Sequence, residues 1–327
     1  MTTSKTMRAA VLKSYNGLLT VEERDIPTPR SGELLIKIAA SPINPSDVMF
    51  TYGMYGIRKP LPAIPGFEAS GVVVAVGAGV DPGRLGQRVA CFAGTDDGSW
   101  AEYMRVPATN TFPVADHVSD EQASMMLVNP LTARALVDMV EGQHAFVQTA
   151  AASALGKMIQ RLASERGLAT INIVRRGEAV AELQALGAEH VLNSHDANFE
   201  ETFRDLAKSL NARLCFDAVA GELTGRLLHL MPRGSRMIVY GGLSMQPVTI
   251  GLDDLIFRHK QVEGFWLSTW MPTLSPAHLQ SIWQEEQTHI GGTFKTDVRA
   301  RYPIDQIAEA LAEYSAHMSG GKVLITP

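Results

Sequence analysis

The segment that most constrains the fold runs from Phe146 to Arg176. It opens with the apolar run FVQTAA, which is long enough for a buried strand. Small residues follow from Ala150 to Ala154, and apolar residues then recur at helical spacing: Leu155, Met158, Ile159, Leu162 and Ala163. Gly167 ends that helix, and ATINIV is a β-branched strand. The segment therefore predicts a strand, a tight turn, a helix and a second strand in succession.

A strand, turn and helix of this kind are typical of a dinucleotide-binding site. Small residues let the backbone approach a pyrophosphate, which the N–H groups at the helix N-terminus then stabilise. The turn reads AAASALG, so only Gly156 of the G-x-G-x-x-G glycines is in place. We expect the residues of this turn to contact the cofactor: Ala152, Ser153, Ala154, Leu155 and Gly156.

The end of the second strand favours NADPH over NADH. An NAD site usually carries an acidic residue about 20 positions beyond the glycine turn, where it binds the ribose 2′-hydroxyl. Here the strand ends in Arg175 and Arg176, and no carboxylate follows until Glu178. Two guanidiniums suit a 2′-phosphate. The alternative is a solvated basic strand end without a ligand.

Composition excludes several classes of protein. The chain has 327 residues, a net charge of −5 and 46% hydrophobic residues, which favours two globular domains and argues against nucleic acid as a partner. No apolar run approaches the roughly 20 residues needed to span a bilayer, so no membrane association is expected. A signal-peptide segment is not found, and the two cysteines, Cys91 and Cys215, are far apart. These features predict a cytoplasmic protein without a disulfide framework.

The order of the elements predicts an α/β fold of two domains. From Met7 to about Phe112 the chain is β-rich with many turns, and from Val118 strands and helices alternate. Six strands with intervening helices predict a doubly wound parallel sheet that binds its ligand at the carboxyl edge. The last helix and the GKVLI strand are expected to return to the first domain. The predicted domains are residues 1–118 with 269–327, and residues 119–268.

Several segments together carry a resemblance to a known family: INPSD (43–47), NPLTA (129–133), NIVRR (172–176), YGGLSMQPV (240–248) and IFRHKQVEGFWLSTW (256–270). On these segments the chain resembles the medium-chain dehydrogenase/reductase superfamily. It is most similar to the zinc-independent 2-enoyl thioester reductases of the mitochondrial enoyl-ACP/CoA type, and more distantly to quinone oxidoreductases. The resemblance implies a GroES-like catalytic domain built from both chain ends around an inserted Rossmann domain.

Zinc-dependent members of this superfamily differ at the positions that bind the metal. They need a cysteine in the segment that here reads NPSD and a histidine in a G-H-E motif, whereas this chain has Asn44 and Phe67. A structural zinc would need four closely spaced cysteines, and the region has only Cys91. We therefore predict that the protein binds no metal.

The resemblance also implies which residues form the site. Tyr55, in GMYG, matches a tyrosine of a G-x-Y-G loop and is the expected catalytic residue; Tyr52 is its neighbour. Asp47 and Glu68 could form an acid/base pair, although polar turn roles are preferred. Ordinary structural roles are the alternative for each of the further residues expected to contact the cofactor: Asn44, Asn129, Thr132, Tyr240, Gly241, Gly242, Leu243, Phe265, Trp266, Leu267 and Lys322.

The leading functional hypothesis is NADPH-dependent reduction of the C=C bond of an enoyl thioester. Hydride would add to Cβ and Cα would take a proton, with a tyrosine hydroxyl stabilising or protonating the developing anion. The alternatives are a zinc-independent quinone or enone reductase, and an NADPH-binding protein that has lost catalysis. We also expect a homodimer, formed by edge pairing of a strand predicted at VEGFWLS.

Overall fold

The computed structural model describes residues 5–327, which form two compact units. The first unit contains the chain up to Val128 together with Gln280–Pro327. The second unit is Asn129–Leu279. Each unit has its own sheet, and strands and helices are numbered here in chain order.

The strands are β1 (Thr6–Leu12), β2 (Leu19–Asp25), β3 (Glu33–Pro42), β4 (Glu68–Val76), β5 (Arg88–Phe92), β6 (Tyr103–Pro107), β7 (Thr111–Pro113), β8 (Ala145–Gln148), β9 (Ala169–Val174), β10 (His190–Asn193), β11 (Leu214–Asp217), β12 (Arg236–Val239), β13 (Gln261–Gly264), β14 (Val298–Tyr302) and β15 (Lys322–Ile325). The α-helices are α1 (Pro45–Thr51), α2 (Asp120–Ala123), α3 (Val128–Asp138), α4 (Ala154–Glu165), α5 (Gly177–Ala185), α6 (Phe199–Ser209), α7 (Glu222–Leu230), α8 (Leu252–Ile256), α9 (Leu267–Trp270), α10 (Pro276–Thr288) and α11 (Ile307–Ala316).

The first unit is built on a mostly antiparallel sheet. Its strand order is β14-β15-β3-β4-β5-β7, and β6 also pairs with β3. The C-terminal strand β15 pairs antiparallel with β3 through Leu324 opposite Pro42. The predicted return of the C-terminal strand to the first domain is therefore confirmed. Strands β1 and β2 form a separate hairpin, whose inner residues pack with Trp100 and α11 in one apolar core.

The second unit is a six-stranded sheet in the order β10-β9-β8-β11-β12-β13, in which all neighbouring pairs are parallel. This order is that of a doubly wound dinucleotide-binding fold, and it confirms the predicted α/β class. The central strands β8, β9 and β11 are almost entirely buried, as a sheet covered on both faces requires. Phe199, Phe203 and Leu227 of α6 and α7 pack on one face, and Leu183 of α5 belongs to a second cluster with Ala151 and Val174.

Three local details differ from the sequence predictions. Helix α2 packs on β3 and β4, so the first unit extends about ten residues beyond the predicted boundary at 118. Pro130 was expected to break a helix, but it lies in the first turn of α3, where a missing N–H costs no helical hydrogen bond. The predicted VEGFWLS strand ends at Gly264, and Leu267 begins the short helix α9.

None of the helices within residues 5–327 combines the length and the apolar character that crossing a bilayer would require.

Candidate functional site

In the first unit, Asn44 lies between the end of β3 and the start of α1, with Pro45 at the first helical position. Its backbone N–H donates to Asp47 Oδ2 at 2.7 Å. The second oxygen of Asp47 accepts from the backbone N–H of Phe67 at 2.9 Å. Asp47 therefore holds the start of α1 against the segment that leads into β4. This contact supports the predicted polar turn role of Asp47.

Asn44 also belongs to a fully buried polar cluster with Glu68 and Lys322. Its Nδ2 donates to Glu68 Oε1 at 2.8 Å, and Lys322 Nζ donates to Asn44 Oδ1. Glu68 Oε2 accepts from the backbone N–H groups of Val128 at 2.9 Å and Leu127 at 3.3 Å. Glu68 thus has partners that its sequence context did not reveal.

Burial controls the protonation of this cluster. It raises the pKa of Asp47 to about 7, against two backbone hydrogen bonds that favour the carboxylate. Burial also raises the pKa of Glu68, and it lowers the pKa of Lys322 although both carboxylates favour its charge. The Lys322 ammonium is held inside the first unit by Asn44, so its predicted contact with a cofactor phosphate stays a prediction.

Tyr55 lies on a wall of aromatic rings in the same unit. Its ring centroid is 4.8 Å from that of Phe67, and Phe67 packs edge-on against Phe50 at 5.7 Å. Tyr55 is half-buried, whereas Tyr52 is 47% exposed and is not part of this wall. The structure thus separates the two tyrosines and places only Tyr55 against Phe67.

Lys59 is a member of this wall that the sequence analysis missed. Burial alternates along the loop, so Tyr55, Ile57 and Lys59 point inward while Met54, Gly56 and Arg58 are exposed. The Lys59 ammonium lies 5.2 Å from the centroid of the Phe67 ring. The sequence predicts which residues of this loop point inward only once the inward position of Tyr55 is known.

In the second unit, the turn between β8 and α4 has the geometry that its small residues predict. Ser153 is the N-cap of α4, and its Oγ accepts from the backbone N–H of Gly156 at 3.0 Å. A Cβ atom at Gly156 would lie 2.4 Å from the carbonyl oxygen of Ala151, so only glycine fits there. Ala150 has a φ of 49°, which is left-handed backbone that favours glycine. A pyrophosphate would meet small side chains and the first N–H groups of a twelve-residue helix.

Arg175 and Arg176 follow β9 directly, and both are exposed. Arg176 is the N-cap residue of α5. Because β8 and β9 are parallel neighbours, the arginines and the turn of α4 lie at the same carboxyl edge of the sheet. The predicted contact of these arginines with a ribose phosphate stays a prediction.

A buried aspartate joins further loops at this edge, and the sequence analysis missed it. Asp217 ends β11, and its Oδ1 accepts from Thr149 Oγ1 at 2.7 Å. Its backbone carbonyl accepts from the N–H of Tyr240 at 2.9 Å. The carbonyl of the next residue, Ala218, accepts from Leu243 at 3.1 Å, so the loop from Tyr240 through Gly241 and Gly242 to Leu243 is fixed beside β11. A polar residue at the end of the buried run LCFDAV is the signal that could have identified Asp217.

The remaining predicted residues of the second unit occupy two places. Asn129 and Thr132 are buried in the first turns of α3. Phe265 and Trp266 follow β13, and Leu267 begins α9; all three are half-buried. The Phe265 N–H donates to the Val239 carbonyl at the end of β12, so this segment also reaches the carboxyl edge of the sheet.

Residues 5–327 contain no group of three histidine, cysteine, aspartate or glutamate side chains arranged to hold a metal ion. Cys91 and Cys215 are buried, and burial raises the pKa of the Cys91 thiol to about 12, so that it is a poor metal ligand near neutral pH. Metal-free function stays a prediction that elemental analysis can test.

Two family models match the chain. The alcohol dehydrogenase GroES-like domain matches residues 30–116, and the zinc-binding dehydrogenase model matches residues 154–283. The two matches fall in the first unit and almost entirely in the second unit, respectively.

Sequence relatives and a solved structure agree with these two family models. The mitochondrial enoyl-[acyl-carrier-protein] reductase of Rattus norvegicus is 32% identical over 275 residues, which are 81% of this chain and 73% of the relative. Among such relatives from other species the matched share of the relative ranges from 66% to 83%. A crystal structure of a candidate NADPH:quinone reductase from Mesorhizobium loti is 37% identical, covers 100% of both chains and has a TM-score of 0.92.

A mycobacterial protein solved in complex with NADPH is 25% identical to this chain. The alignment covers 98% of this chain and 100% of that protein, with a TM-score of 0.84. From the two family models, the identity to the enoyl reductases and the fold, the chain belongs to the medium-chain dehydrogenase/reductase superfamily of oxidoreductases.

Proposed function

We propose that this protein is an NADPH-dependent reductase of the C=C bond of 2-enoyl thioesters. The observation that carries the proposal is the contact of Tyr55 with Phe67, 4.8 Å between ring centroids. A phenol lies against an aromatic ring where a zinc-dependent relative presents a metal ligand. A hydroxyl donor in this place suits a substrate whose C=C bond is activated for hydride addition by its own conjugated carbonyl.

The preference for NADPH rests on Arg175 and Arg176, which are exposed at the carboxyl end of β9. Charge-assisted hydrogen bonds to a phosphate are stronger than hydrogen bonds to a neutral hydroxyl. The end of β9 also lacks the carboxylate that usually accepts a hydrogen bond from the ribose of NAD. The mycobacterial relative solved with NADPH supports a nicotinamide dinucleotide as cofactor. When bound, NADPH supplies the hydride.

The residues of the chain would then act on the acyl group. As hydride adds to Cβ, the electrons of the C=C bond move towards the thioester carbonyl, and the carbonyl oxygen gains negative charge. The Tyr55 hydroxyl stabilises that charge by donating a hydrogen bond, or gives its proton to Cα and regains one from solvent. One proton is consumed for each C=C bond reduced.

Quinone reduction is the second candidate function. The Mesorhizobium loti protein, which is 37% identical over the whole chain, is a candidate NADPH:quinone reductase. A quinone oxygen also gains negative charge after hydride addition, so the same tyrosine could serve. The curated enoyl reductases, which are 31% to 34% identical, support the thioester instead.

Steady-state oxidation of NADPH with a panel of acceptors tests the proposal. We expect a higher kcat/KM for crotonyl-CoA and longer 2-enoyl-CoA thioesters than for simple ortho- and para-quinones. The saturated acyl-CoA product should appear in equal amount to the NADPH consumed. A panel in which quinones are reduced and no enoyl thioester is turned over would assign the second function instead.

A further inference from the structure

Lys59 is buried beside aromatic rings, and its ammonium lacks the hydrogen-bond acceptors that a buried ammonium normally has. Its exposed fraction is 5%, and Nζ has no hydrogen-bond acceptor among the described residues. Nζ lies 5.5 Å from the centroid of the Phe50 ring and 5.2 Å from that of the Phe67 ring. Interactions with ring faces repay only part of the cost of removing a charge from water. A buried lysine whose ammonium makes no hydrogen bond points to a role beyond packing.

The ammonium and the Tyr55 phenol share one neighbour. The Tyr55 ring lies 4.8 Å from the Phe67 centroid, and Lys59 Nζ lies 5.2 Å from the same centroid. Nζ is therefore within about 10 Å of the centre of the Tyr55 ring. In a protein interior the effective dielectric constant is about 20. A positive charge about 10 Å from a developing anion then stabilises that anion enough to raise the rate about tenfold.

We propose that Lys59 is a positioning residue for catalysis, and that its buried positive charge strengthens Tyr55 as a proton or hydrogen-bond donor to the reduced substrate. This inference rests on the proposed function, because it assigns Lys59 a role in the reaction that Tyr55 would serve. Lys59 itself does not need to touch the substrate, because the electric field of its ammonium acts over distance.

The charged groups around Lys59 determine how long its charge persists as the pH rises. Burial lowers its pKa to about 8, while the carboxylates of Asp97, Asp47 and Asp96 act in the opposite direction. Among the neighbouring side chains, Tyr15 donates its hydroxyl to the Lys59 carbonyl, and the Arg58 guanidinium lies 5.0 Å above the Tyr15 ring. The ammonium is charged below about pH 8 and becomes neutral above it, so its assistance to Tyr55 ends in that range.

The test compares the parent, Lys59→Met, Tyr55→Phe and the double variant, with whichever acceptor the parent turns over. We expect kcat of the parent to fall as pH rises through about 8. Lys59→Met should lower kcat about tenfold at pH 6.5 and approach the parent at alkaline pH. In the Tyr55→Phe background, Lys59→Met should have little further effect, because the two residues act as one unit.

Two further variants separate this role from simple packing. Lys59→Arg keeps a charge that does not titrate in this range, and should retain activity while losing the decline near pH 8. Arg58→Met removes a charge from the exposed neighbouring residue and should leave the pH profile unchanged. If Lys59→Met does not fold, the profile of Lys59→Arg decides alone: an alkaline decline identical to that of the parent overturns the proposal.

A loss from Lys59→Met that is the same at every pH and persists without the Tyr55 hydroxyl would also overturn it. Failure of the proposed function is distinguishable from this outcome. A protein that reduces only quinones, with the coupling between Lys59 and Tyr55 intact, contradicts the thioester substrate and leaves the role of Lys59 in place.

Discussion

At the scale of single residues, Tyr55 carries the chemistry of the proposal. Tyr55→Phe removes one oxygen and keeps the ring that packs on Phe67. Because the hydroxyl would act on charge that develops only in the transition state, kcat should fall about a hundredfold with NADPH affinity unchanged. Stopped-flow and steady-state kinetics measure both quantities.

Tyr52→Phe is the matched control for this substitution. Tyr52 is 47% exposed and lies outside the aromatic wall, so its variant should keep the parent rate. Reduction of enoyl thioesters at an undiminished rate by Tyr55→Phe would show that the proton comes from water or another group.

The two exposed arginines after β9 determine cofactor preference in our proposal. Replacing Arg175 and Arg176 with alanine removes the charges expected to bind the 2′-phosphate. A lost charge-assisted hydrogen bond costs about 1.5–3 kcal/mol, so the NADPH dissociation constant should rise about ten- to a hundredfold while NADH binding stays nearly constant. Fluorescence titration with both cofactors measures this, and equal weakening of the two would contradict the assignment.

At the scale of elements, the turn between β8 and α4 depends on one close approach. A Cβ added at Gly156 would lie 2.4 Å from the Ala151 carbonyl oxygen, which is backbone and cannot rotate away. Gly156→Ala should therefore lower the free energy of unfolding by about 1–3 kcal/mol and weaken cofactor binding. Urea denaturation of the apoprotein measures the first effect independently of the second.

Ala150→Gly is a matched substitution with the opposite sign in the same turn. Ala150 has a left-handed φ of 49°, which costs a residue with a side chain about 1 kcal/mol and costs glycine little. We expect the variant to be equally stable or up to about 1 kcal/mol more stable. The gain is limited because glycine loses more conformational entropy on folding. A clear loss of stability would show that the turn does not depend on backbone strain.

At the scale of the whole molecule, we propose that two copies of the chain associate through the edge of the second sheet. β13 is the last strand in the order of that sheet. Helix α8 and the residue that follows it expose large apolar side chains, with Leu252 at 72%, Ile256 at 57% and Phe257 at 66%. An open strand edge offers unpaired N–H and C=O groups, and the exposed apolar surface beside it is unfavourable in water, so a second copy is the expected occupant.

Light scattering at micromolar concentration should give the mass of a dimer. Phe257→Asp should shift the protein towards the monomer, because a carboxylate placed in an apolar interface loses its hydration. Leu18→Asp is the control, since Leu18 is 91% exposed and lies in the first unit. A parent protein that is monomeric at these concentrations would contradict the prediction.

The sequence alone determined the architecture of the second unit, and it predicted that the small-residue turn and the paired arginines lie at one edge of its sheet. Strand and helix periods, the small-residue turn and the paired arginines are local patterns, and parallel strands in a doubly wound sheet bring their carboxyl ends to one edge. The first unit extends about ten residues beyond residue 118, where α2 packs on β3 and β4, a contact that no local pattern encodes.

Only the tertiary structure decided the environment of the candidate catalytic residue. Tyr55 and Phe67 are twelve positions apart, and Asn44 and Lys322 lie near opposite ends of the chain, so their contacts form only when β3, β4 and β15 pair. A lysine in a polar loop is ordinarily solvated; burial of Lys59 depends on which way that loop turns against the aromatic wall. Burial and long-range contacts change pKa values through desolvation and nearby charge, and neither is written in the local sequence.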